Sequence, residues 1–138
     1  MLSNKPSVFI DGEAGATGVE IRALLESRPD VLLKSLPSHL RKDPSARRDM
    51  MAEIDLLVLC LPDDAAREAT AMADELSSDA PKVLDASTAH RLDPDWTYGF
   101  PEMTEGQAER IAAARKVRTP AATRPVQSHC CARWSWQG

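Results

Sequence analysis

The sequence has 138 residues, 43% of them hydrophobic and 28% charged, with a formal net charge of −4. That is enough chain for one domain with a core, and the acidic balance argues against a general nucleic-acid binder. No apolar run approaches the roughly 20 residues of a membrane span, no basic stretch leads into an apolar one as in a signal peptide, and the three Cys give neither a disulfide framework nor zinc spacing, so a cytoplasmic protein with no metal is expected.

Ser7-Val-Phe-Ile-Asp11 is a short apolar run closed by Gly12, which predicts a buried strand. From Thr17 to Arg28, Val19, Ile21, Leu24 and Leu25 recur at approximately helical spacing, and Pro29-Asp30 stops the pattern. Val31 to Leu36 is the second predicted strand, closed by Pro37. Pro44 to Ile54 reads as a polar, Arg-rich helix with Met50, Met51 and Ile54 facing inward. Asp55 to Leu61 is the most hydrophobic segment and predicts a central parallel strand covered on both faces. Asp63 or Asp64 is placed to cap an Ala-rich helix running to about Leu76. Lys82 to Asp85 predicts a further strand, and Glu105 to Arg115 a further helix. This alternation implies an α/β fold, a Rossmann-like doubly wound parallel sheet.

The most specific local pattern is Gly12-Glu-Ala-Gly15-Ala16-Thr17-Gly18, between a strand and a helix. Glycines there permit positive φ and close backbone approach to a pyrophosphate, while the helix start offers unpaired N–H groups. The competing reading is a turn that only packs strand on helix. After the second strand, Ser38, Arg41 and Lys42 stand where selectivity at the adenosine ribose is decided, with no acid at the strand end. Two cations there favour a 2′-phosphate, hence NADP over NAD; the alternative is a solvated basic loop. Asp85-Ala-Ser87-Thr88-Ala-His-Arg91 follows a later strand, so Ser87 and Thr88 are candidates for the cofactor and Arg91 for an anionic substrate. The plainer possibility is a turn in which Asp85 accepts from local N–H groups. Cys60 has no adjacent His or cation to lower its pKa and reads as an inert core thiol, and His39 and His129 read as surface residues.

Five segments, Val8 to Gly18, Arg41-Lys-Asp43, Cys60-Leu-Pro-Asp-Asp-Ala-Ala-Arg-Glu68, Asp85 to Arg91 and Asp95-Trp-Thr-Tyr-Gly-Phe-Pro-Glu102, together resemble the N-acetyl-gamma-glutamyl-phosphate reductase family, in its shorter bacterial branch. The likeness is collinear over residues 5–117. It implies an arginine-biosynthesis enzyme longer than this chain, with an N-terminal NADP-binding domain, a second α+β domain and homo-oligomeric assembly. In that family a Cys thiolate attacks an acyl phosphate, phosphate leaves, and NADPH reduces the thioester to an aldehyde with help from a His of the second domain. With this resemblance the cofactor contacts are expected at Gly12, Gly15, Ala16, Thr17, Gly18, Ser38, Arg41, Lys42, Leu61, Pro62, Ser87 and Thr88, and a substrate contact at Arg91. An aspartate-semialdehyde type dehydrogenase is the nearest enzymatic rival, and its pattern fits Ser87 to Arg91 and Tyr98 to Glu102 less well.

The resemblance stops where composition changes. Residues 1–117 carry all 21 acidic residues, whereas residues 118–138 carry none, with Arg118, Arg124 and Arg133 as their charges. Cys130, Cys131, Trp134 and Trp136 fall in the same tail. The family continues with a Pro-Gly-Cys-Tyr-Pro-Thr-Gly motif whose Cys is the nucleophile, but this chain has Thr119-Pro-Ala-Ala122-Thr-Arg-Pro125. Codons compatible with Thr119 to Gly138, shifted by one added base, translate as Asn-Pro-Gly-Cys-Tyr-Pro-Thr-Gly followed by an apolar stretch. A one-base loss near codon 119 is therefore expected, with Ala122 at the place of the catalytic Cys. The expected organisation is a 1–117 cofactor domain and a disordered 118–138 tail, inactive alone as a reductase. A stand-alone NADP-binding or regulatory module is the non-enzymatic alternative.

Overall fold

The structure, a computed structural model, describes residues 5–119. Its elements in chain order are β1 (Ser7–Asp11), α1 (Ala16–Glu26), β2 (Leu32–Lys34), α2 (Pro44–Ala52), β3 (Leu56–Leu59), α3 (Asp63–Asp74), a 3-10 turn (Ser77–Asp79), β4 (Lys82–Asp85), β5 (Thr97–Tyr98), α4 (Gln107–Ala113) and β6 (Lys116–Arg118). All six strands are parallel, in the order β2-β1-β3-β4-β6-β5. β6 ends one residue past the compositional boundary, and the Thr119 N–H donates to the Asp85 carbonyl at 2.9 Å.

Alternation along the strands divides the core in two. Val8, Ile10, Leu56, Val58, Leu84 and Val117 point to one face, where Ile21 and Leu25 of α1 and Ile111 of α4 cover them. Phe9, Leu57, Leu59 and Val83 point to the other, against Met51 of α2 and Ala66, Ala69 and Ala73 of α3. Every residue of β3 is buried, as a central strand between two helical layers requires. The sheet is doubly wound as the strand–helix alternation predicts.

The apolar stripe of α1 differs from the spacing first expected. Gly18, Ile21 and Leu25 are buried, but Val19 and Leu24 are 55% and 48% exposed. Three- and four-residue steps from Gly18 define the inner face, and Val19 and Leu24 lie to its flanks. Around α2, Met51 and Ile54 are buried and Met50 half-buried, as expected, and Asp43 caps the helix by accepting from Ser45 N–H at 2.9 Å, with Pro44 in the first turn. The cap expected of Asp63 or Asp64 on α3 is absent: Pro62 holds the N-cap position with no side-chain bond, and Asp63 reaches across to Thr88 instead. β5 and β6 were not predicted, since β5 is two residues long and β6 has one buried apolar residue between two cations.

Candidate functional site

After β1 the chain crosses through α1 to β2 on one side, then returns through α2 to β3 on the other. The carboxyl ends of β1 and β3 therefore border the crevice where open α/β sheets take ligands. Gly12 leaves β1 with φ +90°, and a Cβ there would collide with the Cys60 carbonyl oxygen at the end of β3. A Cβ at Gly18 would collide with the Gly12 carbonyl oxygen and the Glu13 backbone. Packing of the loop thus accounts for both glycines. Gly15 differs. Its φ is −76°, and a Cβ there would meet only the Gly12 carbonyl oxygen at 3.4 Å and the Cys60 carbonyl oxygen at 3.9 Å, ordinary contacts.

Gly15 is also the N-cap of α1, which has no side-chain cap and no acidic residue in its first turn. The helix start, with exposed Ala16 and half-buried Thr17, presents N–H groups and the positive end of the helix dipole without a carboxylate of its own. Beside it is a cleft of about 210 Å³ lined by Gly12, Glu13, Ala14, Arg41, Lys42 and Leu61, with Phe9 to Asp11 of β1 forming its base. Gly12, Arg41, Lys42 and Leu61 are thus brought together, whereas Gly15, Ala16, Thr17 and Gly18 at the helix start, and the exposed Ser38 and Pro62, are outside the lining. A larger space of about 400 Å³ between α2 and α3 is lined by none of the residues expected to contact cofactor or substrate.

Two acids beneath this cleft were missed in the sequence. Glu13 has a side chain 4% exposed, and its Oε2 accepts from Arg22 Nη1 at 2.8 Å and from Ser35 Oγ at 2.9 Å. Its Oε1 is enclosed and lies 2.6 Å from Arg41 Nη2, an ion pair and not an aligned hydrogen bond. Asp11, at the end of β1, accepts from Arg47 Nη2 at 2.6 Å. Burial raises the Asp11 pKa, the Arg47 hydrogen bond and charge oppose that, and the charge of Glu68 adds to it. No local pattern signals either pairing, because each joins residues brought together only by the fold.

The second group of predicted residues lies after β4. Asp85 is fully buried; its Oδ1 accepts from the Ser87 N–H at 2.8 Å, and its Oδ2 is 2.6 Å from His90 Nδ1. The His90 ring stacks on Trp96 with centroids 4.1 Å apart. Ser87 Oγ accepts from Ala89 N–H at 3.1 Å, and Thr88 Oγ1 donates to the Asp63 carboxylate, with its two oxygens at 2.6 and 2.7 Å. Ser87 Oγ thus bonds within its own loop, and Thr88 Oγ1 ties that loop to the start of α3. Arg91 is exposed at the surface of this loop. His39 is exposed and Cys60 half-buried, packed against the first core face. Ala122, His129, Cys130, Cys131, Trp134 and Trp136 lie outside the described residues. Among the described residues no helix is long and apolar enough to cross a membrane, and no group of His, Cys, Asp and Glu is arranged to hold a metal.

Comparison with known proteins matches residues 7–112 to the semialdehyde dehydrogenase, NAD binding domain, family. The N-acetyl-gamma-glutamyl-phosphate reductase of Burkholderia cenocepacia is 52% identical over 115 residues, covering 83% of this chain and 36% of that protein. The Mesorhizobium japonicum reductase is 48% identical over 116 residues, covering 84% and 37%, and a Nostoc reductase 50% identical over 117 residues, covering 85% and 35%. The chain thus spans little more than a third of the length of these relatives. Among solved structures, aspartate semialdehyde dehydrogenase from Francisella tularensis superposes with a TM-score of 0.64 at 20% identity, covering 84% of this chain and 36% of that one. A Vibrio cholerae aspartate semialdehyde dehydrogenase II superposes at 0.61 with 16% identity, covering 85% and 38%. These two share the fold.

Proposed function

The chain belongs to the semialdehyde dehydrogenase NAD-binding family, among the N-acetyl-gamma-glutamyl-phosphate reductases, and we propose that it is the NADP(H)-binding part of such an oxidoreductase. The observation that carries this reading is the start of α1. The fold explains Gly12 and Gly18 but leaves Gly15 with room for a side chain, at a helix N-terminus with no cap and no acid. A pyrophosphate approaching the backbone there accounts for a bare Gly15, and the helix dipole favours its charge. In this reading Gly15, Ala16 and Thr17 take the pyrophosphate, and Arg41 and Lys42 take a 2′-phosphate, which selects NADPH over NADH. Gly12 and Gly18 shape the loop, Leu61 walls the cleft, and Ser38 and Pro62 lie outside its lining. Ser87 and Thr88 order the loop that presents Arg91 to an anionic substrate.

The whole-protein reaction proposed is the reduction of N-acetyl-gamma-glutamyl phosphate to the semialdehyde, in the cytoplasm. The cofactor supplies hydride; these residues bind and orient it. The nucleophile is another matter. Ala122 stands where the family Cys is expected, and a methyl side chain cannot form a thioester. The 138-residue chain is therefore proposed to bind NADPH without turning over acyl phosphate, its tail arising from a one-base loss near codon 119. Sequencing the coding DNA tests the tail: codons incompatible with the shifted motif refute it. Fluorescence titration of the chain with NADPH and NADH tests the cofactor reading. Saturable binding with NADPH preferred is expected, and failure to bind either dinucleotide overturns it.

A further inference from the structure

From the buried carboxylate at the end of β2 we infer that Glu13 is a specificity-determining positioning residue, which holds Arg41 ready for the 2′-phosphate of the cofactor; this rests on the cofactor reading above. Sequence position hides this role, because Glu13 belongs to the glycine loop and not to β2. The fold nevertheless carries its side chain to Ser35, the residue after β2, which donates to Oε2 at 2.9 Å.

Arg22 of α1 fixes the same oxygen at 2.8 Å and is itself tied to Glu26 at 2.8 Å. The remaining oxygen faces Arg41 Nη2 at 2.6 Å, and Arg41 Nε donates to the Leu36 carbonyl at 3.4 Å. Two of the three guanidinium nitrogens of Arg41 are thus anchored. Its Nη1 has no partner among the described residues, and Arg41 lines the cleft beside Lys42.

Two roles are open to an acid at this place, and burial separates them. An acid that reads a ribose 2′-hydroxyl must offer its oxygens to the ligand. Glu13 has a side chain 4% exposed, with Oε2 taken by two donors and Oε1 enclosed against Arg41. The group presented to the cleft is Arg41, whose side chain remains 39% exposed. A free Arg loses much rotamer freedom on gripping an anion, and a guanidinium already oriented loses less. The carboxylate also repels a phosphate, but the Arg22 and Arg41 guanidiniums pair with it and offset its charge.

The test measures NADPH and NADH dissociation constants for the full 138-residue chain and for Glu13→Gln, Arg41→Met and the double variant, with adenosine 2′,5′-bisphosphate and 5′-AMP as probes of the adenosine end alone. Glu13→Gln and Arg41→Met should each lower the preference for NADPH by about tenfold, with NADH affinity held within about twofold. In the Arg41→Met background, Glu13→Gln should change the preference little, since Glu13 acts through Arg41. Arg41 is only half-buried, and in Arg41→Met the Glu13 carboxylate keeps Arg22 as its counterion, so this variant reports even if Glu13→Gln impairs folding. Equal losses for both dinucleotides, or an unchanged preference in Arg41→Met, overturn the inference while leaving the cofactor reading intact. Failure of the unaltered chain to bind either dinucleotide overturns both.

Discussion

The Asp11 carboxylate at the end of β1 meets the Arg47 guanidinium of α2 at 2.6 Å, and the two side chains are only 7% and 10% exposed. This pair ties the second helical layer to the strand from which the glycine loop departs. Removing one partner leaves a buried charge with no counterion, which costs about 3–5 kcal/mol. Arg47→Ala should therefore lose about that much in urea denaturation, whereas Arg48→Ala, on the exposed side of α2 with exposed Glu75 as its partner, should change stability by less than about 1 kcal/mol. Equal effects for the two would show that the Asp11–Arg47 pair contributes no more than a surface contact.

The same pair gives the protein an unusual pH slope. Burial is the largest influence on Asp11 and raises its folded pKa above the ordinary 3.8, against the pull of Arg47. Between 3.8 and the raised value, the folded state holds a proton that the unfolded state has released. The stabilisation from that proton is complete below the unfolded pKa and is lost as pH rises through the folded one. Denaturation from about pH 4 to about pH 7 should show the stability of the unaltered chain, relative to Asp11→Asn, falling with pH and then levelling. A difference that is constant or grows with pH would contradict this account.

The glycine loop separates folding from binding. Gly12 has φ +90° and no room for a Cβ, and Gly18 has no room either, so Ala at either position must displace backbone. Gly12→Ala and Gly18→Ala should each destabilise by at least about 2 kcal/mol in chemical denaturation. Gly15 has φ −76° and ordinary contacts, so Gly15→Ala should cost no more than the roughly 1 kcal/mol of a poorer N-cap while weakening NADPH binding. A Gly15→Ala chain that binds NADPH normally would place the pyrophosphate elsewhere.

What the sequence made legible follows from range. β1, β3 and α3 were readable because their partners in pattern lie within a few residues: a run such as Leu56–Leu59 must be covered on both faces whatever covers it. The weak edge was not. Thr97–Tyr98 and Lys116–Arg118 become strands only through pairing with each other and with β4. At the site, the glycine spacing marked the turn between β1 and α1, but only the fold shows that packing alone demands Gly at 12 and 18 and leaves Gly15 with room for a side chain. Arg41 was read with Lys42 as two cations after β2 with no acid at the strand end; Glu13, 28 positions before Arg41, supplies the acid. Asp63 or Asp64 was read as a helix cap from position, but neither caps it, and a contact 25 residues away takes the Asp63 carboxylate.

The loop that presents Arg91 depends on a buried acid in a similar way. Asp85 Oδ1 takes the Ser87 N–H and Oδ2 takes His90 Nδ1 at 2.6 Å, while Trp96 stacks on the face of the imidazole. His90→Phe keeps a ring against Trp96 and leaves Oδ2 buried without its donor, a cost of about 1–3 kcal/mol. Asp85→Asn retains an acceptor for Ser87 and should cost a similar amount through the His90 bond. Because both variants break one shared bond, the double variant should be less destabilised than the sum of the two by about 1 kcal/mol or more. Hydrogen exchange should speed at Ser87 and Arg91, whose amides are bonded within this loop, and remain slow in β1 and β3. Additive losses, or exchange that quickens equally across the sheet, would mean that Asp85 and His90 stabilise the core separately and do not hold the Arg91 loop as a unit.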